Sequence, residues 1–256
     1  MSGLWSFFGW RQVCAVVAMT AVMLGAARVA GLGSGRSGLF AVIRAGAQLL
    51  AVSTVVVLAF RNVATACGFI VVMLVVAAIT SAGRAEVSSA RWRVMAVIAA
   101  GSIPMLAIIL ATGAAPVEPA TIVAFGGILI GGSMTACSLS LRYSIRAVRE
   151  RRGEVEAAMA LGLSKVSAMS MVVDRVRLEA LVPVLDQTRT VGLVTLPGAF
   201  VGVLLAGGAA GAAAVAQLLV LVGLVGAETV VVALSSRFVA KGWILPDDLQ
   251  RALPPR

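Results

Sequence analysis

The sequence contains no histidine, one tyrosine and only three cysteines in 256 residues. Without an imidazole there is no Ser-His nucleophile and no His-based metal centre. Cys14, Cys67 and Cys137 stand singly, without metal-ligand spacing, and read as small apolar helix residues. Cys14 and Cys67 both fall near the same membrane face, and whether they pair stays open. Lysine is nearly absent too. Its two occurrences, Lys165 and Lys241, follow no Gly-x-x-x-x-Gly, so this chain has no loop of its own to cradle nucleotide phosphates. No pair of acidic residues lies within an apolar run, which leaves an aspartyl-type enzyme without its chemistry. Charged residues make up just 12% of the chain.

What fills the sequence instead is apolar. Hydrophobic residues reach 60% and the mean hydropathy is +1.03, more apolar surface than a soluble domain of this length can hide. Runs of about 17 to 25 apolar residues match the hydrocarbon thickness as helices. Seven can be marked, at 13–30, 39–60, 63–82, 94–111, 122–139, 191–206 and 212–234. They are apolar on every side rather than alternating, which excludes barrel strands. The expected fold is therefore an all-α polytopic membrane protein with about seven transmembrane helices, 1–256 forming one domain.

A net charge of +10 raises the possibility of a nucleic-acid partner, but the arginines are not spread as a basic face. Arg28, Arg36 and Arg44 border the first loop, Arg84, Arg91 and Arg93 the third, and Arg142, Arg146, Arg149, Arg151 and Arg152 the fifth. Arg237, Lys241, Arg251 and Arg256 follow the last segment. The positive-inside rule places all of these in the cytoplasm, with the N-terminus outside and the C-terminus inside a plasma (bacterial inner) membrane. Lipid is the implied environment and nucleic acid is not a partner. The first segment is not a secretory signal, because Arg11 alone precedes it while Arg28 and Arg36 follow. The glycine-rich loop Gly31 to Gly38 only superficially resembles a phosphate loop, lacking a strand before it and a lysine after it.

Polar residues inside apolar runs are expensive and so informative. Arg44 and Gln48 share a face of the second segment, with Arg44 close enough to the end to snorkel. Pro104 should bend the fourth. Gly127 and Gly131 make a small-residue face on the fifth. Pro197-Gly198 should break the sixth, and Gly198 with Gly202 suggests another close-packing face. The last segment holds Gln217 and Glu228. Glu228 is a candidate for function or for an ion pair with an inward arginine.

Between the fifth and sixth segments the chain stays helical but becomes charged. Leu141, Ile145, Val148, Val155 and Met159 recur along one side, with Arg142, Arg146, Arg149, Glu150, Arg152 and Glu156 on the other. Gly162 can end this helix and Ser164 can cap the next, making a hairpin that projects from the membrane.

These residues carry a resemblance. Glu156-Ala157-Ala158, three residues, then Gly162 resembles the loop by which ABC permeases dock onto their ATPase subunits. With Arg44, Gln48-Leu49, Gly192-Leu193-Val194-Thr195-Leu196-Pro197-Gly198, Gly202, Leu205-Ala206-Gly207 and Gln217, the chain is similar to the FetB-like iron-export ABC permease family and to plant permeases linked to aluminium tolerance. The resemblance implies a permease subunit, two copies together, paired with a separate ATP-binding subunit that carries ATP and magnesium. The chain itself would need no cofactor and have no catalytic residues. Its coupling loop would span about 142–189, with Glu150, Arg152, Glu156, Ala157, Ala158 and Gly162 in the docking region. Arg44, Gln48, Thr195, Pro197, Gly198, Gly202, Gln217 and Glu228 would belong to the path or gate. Export of a metal ion such as iron, or of another small solute, is the expected function. After Pro197-Gly198 the family's polar positions are apolar here, at Ala199, Phe200, Val201 and Val203. The competing readings are an ion- or proton-coupled carrier titrating at Glu228 and a membrane scaffold that transports nothing.

Overall fold

A backbone in hydrocarbon must close its hydrogen bonds within its own segment, and this chain does so with helices. The computed structural model describes residues 9–31, 33 and 35–252. In order they form α1 (Trp10–Val29), α2 (Gly35–Ala59), α3 (Val63–Arg84), α4 (Arg91–Ala111), α5 (Pro119–Glu150), α6 (Arg152–Ala160), α7 (Lys165–Val173), α8 (Val182–Thr190), α9 (Gly198–Leu205), α10 (Ala210–Ala240) and α11 (Asp247–Ala252). Short 3-10 turns occupy Ser88–Ala90 and Arg177–Leu181, and no strand forms among the described residues. Leu32 and Ser34 of the first loop and the last four residues lie outside them. Pro104 sits inside α4 without interrupting it.

Local chemistry sets several ends. Asn62 accepts from the Thr65 amide while the Thr65 hydroxyl accepts from the Asn62 amide, a reciprocal cap that starts α3. Ser164 accepts from the Ser167 amide and starts α7, as its position after Gly162 suggested.

Among the described residues six helices are long and apolar enough to cross a membrane: α1, α2, α3, α4, α5 and α10. Residues up to Leu58 make one compact unit, with α1 and most of α2, and residues from Ala59 onward make a second. In the first unit the lining of α1 and α2 is apolar, and Arg44 and Gln48 are exposed along α2.

The second unit is a bundle of α3, α4, α5 and α10 around Ile98, Leu129, Ile130 and Leu141. Its directions follow from who faces whom. Ile70 lies against Gly126 and Ser81 bonds Ser138, so α3 and α5 run the same way. Leu129 faces Gly223, Gly132 faces Leu224 and Glu228, and Ser140 bonds Ser235, so α5 and α10 also run together. The order is reversed for α4: Arg93 bonds the Trp243 carbonyl, Gly101 faces Ala227, and Ile109 faces Gly223.

Parallel α5 and α10 require the chain between them to cross the bundle once more. It does so in pieces: the 3-10 turn Arg177–Leu181, α8, a tight turn, and α9, which packs back on α10. The expected span at 191–206 is therefore not one helix. Its first residues form the turn, where the Gly192 amide donates to the Thr195 carbonyl and Gly192 has φ +78°, and helix resumes only at Gly198 after Pro197. Proline has no amide to continue the ladder, so the break falls at Pro197-Gly198 as read from the sequence.

Two packing expectations change. On α5 the tight positions are Gly126, where a methyl would meet Ile70, and Gly132, where it would meet Leu224 and Glu228. Gly127 touches only Met73, and Gly131 faces open space, because the helix presents the flanking pair rather than the inner one. Gly198 and Gly202 likewise have open space and make no close-packing face.

The charged stretch after Leu141 is no separate helix at first. The fifth span simply continues, unbroken, to Glu150. There α11 returns to it: Arg149 reaches Asp248 at 2.9 Å and holds that carboxyl below the usual carboxylate range, chiefly through the hydrogen bond. A lowered folded pKa gives a contribution present above about pH 4, the unfolded value, and lost as pH falls through the folded one. Amide exchange in residues 247–252 should therefore quicken relative to α10 on acidification below about pH 4, and Asp248→Asn should erase that pH dependence.

Candidate functional site

Glu228 sits in the middle of α10, only 7% exposed, with apolar turns before and after it. It borders a cleft of about 300 Å³ between α5, α10 and the broken crossing. Gly131, Gly132, Thr135 and Ala136 form one wall, Pro183, Val184 and Gln187 another. Gly132 makes room for the carboxylate, since a β-carbon there would lie 2.7 Å from Glu228 Oε1. No ion pair among the described residues involves Glu228, so the arginine partner considered for it is not found there. A carboxylate without a counter-ion, in a cleft at membrane depth, can bind a cation or a proton donor.

Gln217 lies three turns earlier on the same face of α10. It is 4% exposed and its Oε1 has no partner. On α5 the Ser133 and Ser144 hydroxyls are also buried and unpartnered. Around them runs a set of hydroxyls that sequence reading did not pick out. Ser138 donates to Ser81, Ser235 donates to Ser140 at 2.7 Å, and Ser140 also meets Ser236 at 3.2 Å. Their signal was available: Ser133, Cys137, Ser140 and Ser144 recur at helical spacing along α5.

The other path candidates lie outside the lining of this cleft. Thr195 is exposed in the turn, Pro197 caps α9, and Gly198 and Gly202 lie on α9 without close neighbours. Arg44 and Gln48 belong to the first unit. Within the second unit the structure thus brings Glu228 to the cleft and Gln217 to the same helix face, and sets Thr195, Pro197, Gly198 and Gly202 in the turn and on α9.

Of the docking candidates Glu150 ends α5, and Arg152, Glu156, Ala157, Ala158 and Gly162 lie on a hairpin formed by α6 and α7, which rests on α5 and α10 through α7. Val155, Ala158, Met169, Val172 and Val173 are buried beneath it. Arg152 pairs with Glu156 at 2.6 Å within α6 and Arg146 with Glu150 at 2.7 Å within α5, while Arg175, just past α7, reaches Glu154 of α6 at 3.2 Å. Ala158 therefore serves the interior, whereas Ala157 and Gly162 face out. Gly162 has φ +94°, a conformation natural to glycine, and it turns the tip so that Leu161 stands 84% exposed. Leu163 beside it is exposed too. The hairpin tip thus shows apolar Leu161 and Leu163 on an otherwise charged, ion-paired element. Sequence reading named the glycine and missed the leucine it displays.

Comparison with known proteins follows the same line. Residues 10–244 match a family described as an uncharacterised protein family, UPF0014. The chain is similar to the UPF0014 membrane protein STAR2 of rice (Oryza sativa), 31% identical over 233 residues, covering 89% of this chain and 82% of that protein. It is 32% identical over 136 residues to the Arabidopsis thaliana protein ALUMINUM SENSITIVE 3, covering 53% and 50%. It is 29% identical over 103 residues to the Escherichia coli protein named probable iron export permease protein FetB, covering 40% and 39%. No solved structure matches the chain.

Proposed function

We propose, because this chain belongs to the UPF0014 family of membrane proteins, that it is the membrane-spanning subunit of a transporter driven by a separate ATP-binding subunit. The observation that carries this is the α6–α7 hairpin, which shows a bare leucine to the outside and rests on the two helices that wall the Glu228 cleft. A push on Leu161 and Gly162 reaches α5 and α10 through α7, and the broken crossing at Thr195 and Pro197 is the part able to yield. Solute would pass along Glu228 and Gln217. The similarity to a protein named as an iron export permease supports outward movement of a metal ion or another small cation. ATP and magnesium belong to the partner. The basic end of the bundle, with Arg84, Arg93, Arg142 and Lys241, faces the cytoplasm of a plasma membrane, which puts the hairpin and the C-terminus inside and the N-terminus outside.

The test is co-expression with a candidate ATP-binding subunit, purification through this chain, and ATP hydrolysis in vesicles. Retention of the subunit and solute-dependent hydrolysis are expected. Transport that proceeds without any ATPase and disappears in Glu228→Gln would instead establish a coupled carrier.

Two copies are part of the proposal. In the turn, Leu193 is 88% exposed and Val194 and Leu196 are bare as well, on irregular backbone that lipid cannot satisfy. A second copy supplies the cover. In a background lacking the three native cysteines, Leu193→Cys should give a disulfide-linked species of twice the mass on mild oxidation in membranes. Val222→Cys, exposed on α10, should give none.

A further inference from the structure

A second cleft, of about 210 Å³, opens where α3 and α5 leave the apolar part of the bundle. Arg84, Arg142, Arg146 and Arg149 line it together with Glu86 and Tyr143, over a floor of buried Ala85 and Ile145. Spacings of four and three residues put the three α5 arginines on one face. Two of the four are already engaged, Arg146 with Glu150 and Arg149 with Asp248. Arg84 and Arg142 have no hydrogen-bond or ion-pair partner among the described residues. Two free guanidiniums on opposite helices, with further positive charge behind them, form a fork suited to the oxygens of a phosphate.

Depth decides which phosphate. Arg84 is the last residue of a 22-residue apolar helix. Arg142 comes after the roughly 20 residues of α5 that hydrocarbon accommodates. At the same end Trp92 is exposed beside Arg93, which bonds the Trp243 carbonyl, and Lys241 lies 4.5 Å over the Trp243 ring. Tryptophans and basic residues gathered at one level mark the headgroup layer. From these observations, which owe nothing to the transport reading, we propose that the cleft between α3 and α5 binds the phosphate of an anionic lipid headgroup through Arg84 and Arg142.

The experiment follows the thermal unfolding midpoint of the purified full-length chain in dodecyl maltoside. Dioctanoyl phosphatidylglycerol, dioctanoyl phosphatidylcholine and inorganic phosphate are titrated separately. The glycerol lipid should raise the midpoint saturably and the choline lipid should not. Arg84→Gln with Arg142→Gln should weaken the half-saturating concentration about 30-fold, from the attraction expected of two basic residues at an anionic surface. Arg251→Gln, the same charge lost outside the cleft, should leave it unchanged. Should the double variant not fold, Arg142→Lys decides, since a point charge loses the fork and should still weaken the lipid several-fold. Equal effects of the two lipids, or an unchanged response in the variants, would overturn the proposal. An equal shift from inorganic phosphate would overturn the lipid as its source. So would variants that lose a co-purifying ATP-binding subunit while keeping the lipid response, because the cleft would then face a protein.

Discussion

Leu161→Asp is expected to detach the proposed ATP-binding subunit, and with it to abolish the proposed solute movement, while leaving the chain folded. The side chain stands 84% exposed, so its own bundle gains almost nothing from it, and the unfolding midpoint should stay within about a degree of wild type. At an interface the arithmetic reverses. An apolar anchor in the centre of a contact is worth about 2 kcal/mol or more, a loss of roughly 30-fold in affinity, and a carboxylate forced into its pocket adds a desolvation cost. Gly162→Val should act alike by another route, because φ +94° is strained for a branched residue and the tip would turn away. Glu156→Arg should be milder, as it breaks a half-exposed pair with Arg152. Pull-down through a tag on this chain, with the midpoint measured on the same samples, reads both quantities. Undiminished pull-down and transport in Leu161→Asp would remove the hairpin from the mechanism.

That leucine also shows where sequence reading reaches its limit. Helical class, the break at Pro197-Gly198, the hairpin around Gly162 and the interest of Glu228 were legible, because each depends on a residue's own backbone preference or its cost in hydrocarbon. What was not legible depends on rotation about a helix axis or on contacts between distant segments. Gly126 and Gly132, not Gly127 and Gly131, carry the close approaches, and the two pairs face opposite sides of α5, about half a turn apart. Ser81 with Ser138 and Ser140 with Ser235 are pairings no local pattern announces.

Asp174 with Arg177 and Asp186 with Arg189 pair at three-residue spacing, as exposed helical charges do. Yet Ala180 and Val184, between them, are buried, and this stretch starts the crossing beside the cleft. Pairing the charges locally lets one face of a short helix remain polar while the other packs on α5. Six described helices are long and apolar enough to span, and the parallel course of α5 and α10 adds a passage in two pieces, each too short to be recognised by apolar length.

Gly101 and Gly132 separate stability from function at the core of that arrangement. A β-carbon at Gly101 would lie 2.5 Å from the Ala227 carbonyl oxygen and 2.6 Å from a Val231 methyl. The first obstacle is backbone, which no rotamer change relieves, so α4 and α10 must separate. Gly101→Val is expected to cost about 3 kcal/mol, at the upper end of overpacking penalties, and to reduce the folded protein recovered from membranes. A β-carbon at Gly132 would instead meet the ends of two side chains, Leu224 at 2.5 Å and Glu228 Oε1 at 2.7 Å. Both can swing aside. Gly132→Ala should therefore keep most of its stability, with a penalty nearer 1 kcal/mol, yet push the carboxylate from its place in the cleft. If Glu228 contacts the moving solute, transport per folded molecule should fall at least tenfold in Gly132→Ala, since a displacement of about an ångström at a binding group is that costly. Gly131→Ala, one residue away and facing open space, should change neither quantity. Equal transport in Gly101→Val, Gly131→Ala and Gly132→Ala, once corrected for folded amount, would place the solute path somewhere other than the cleft beside Glu228.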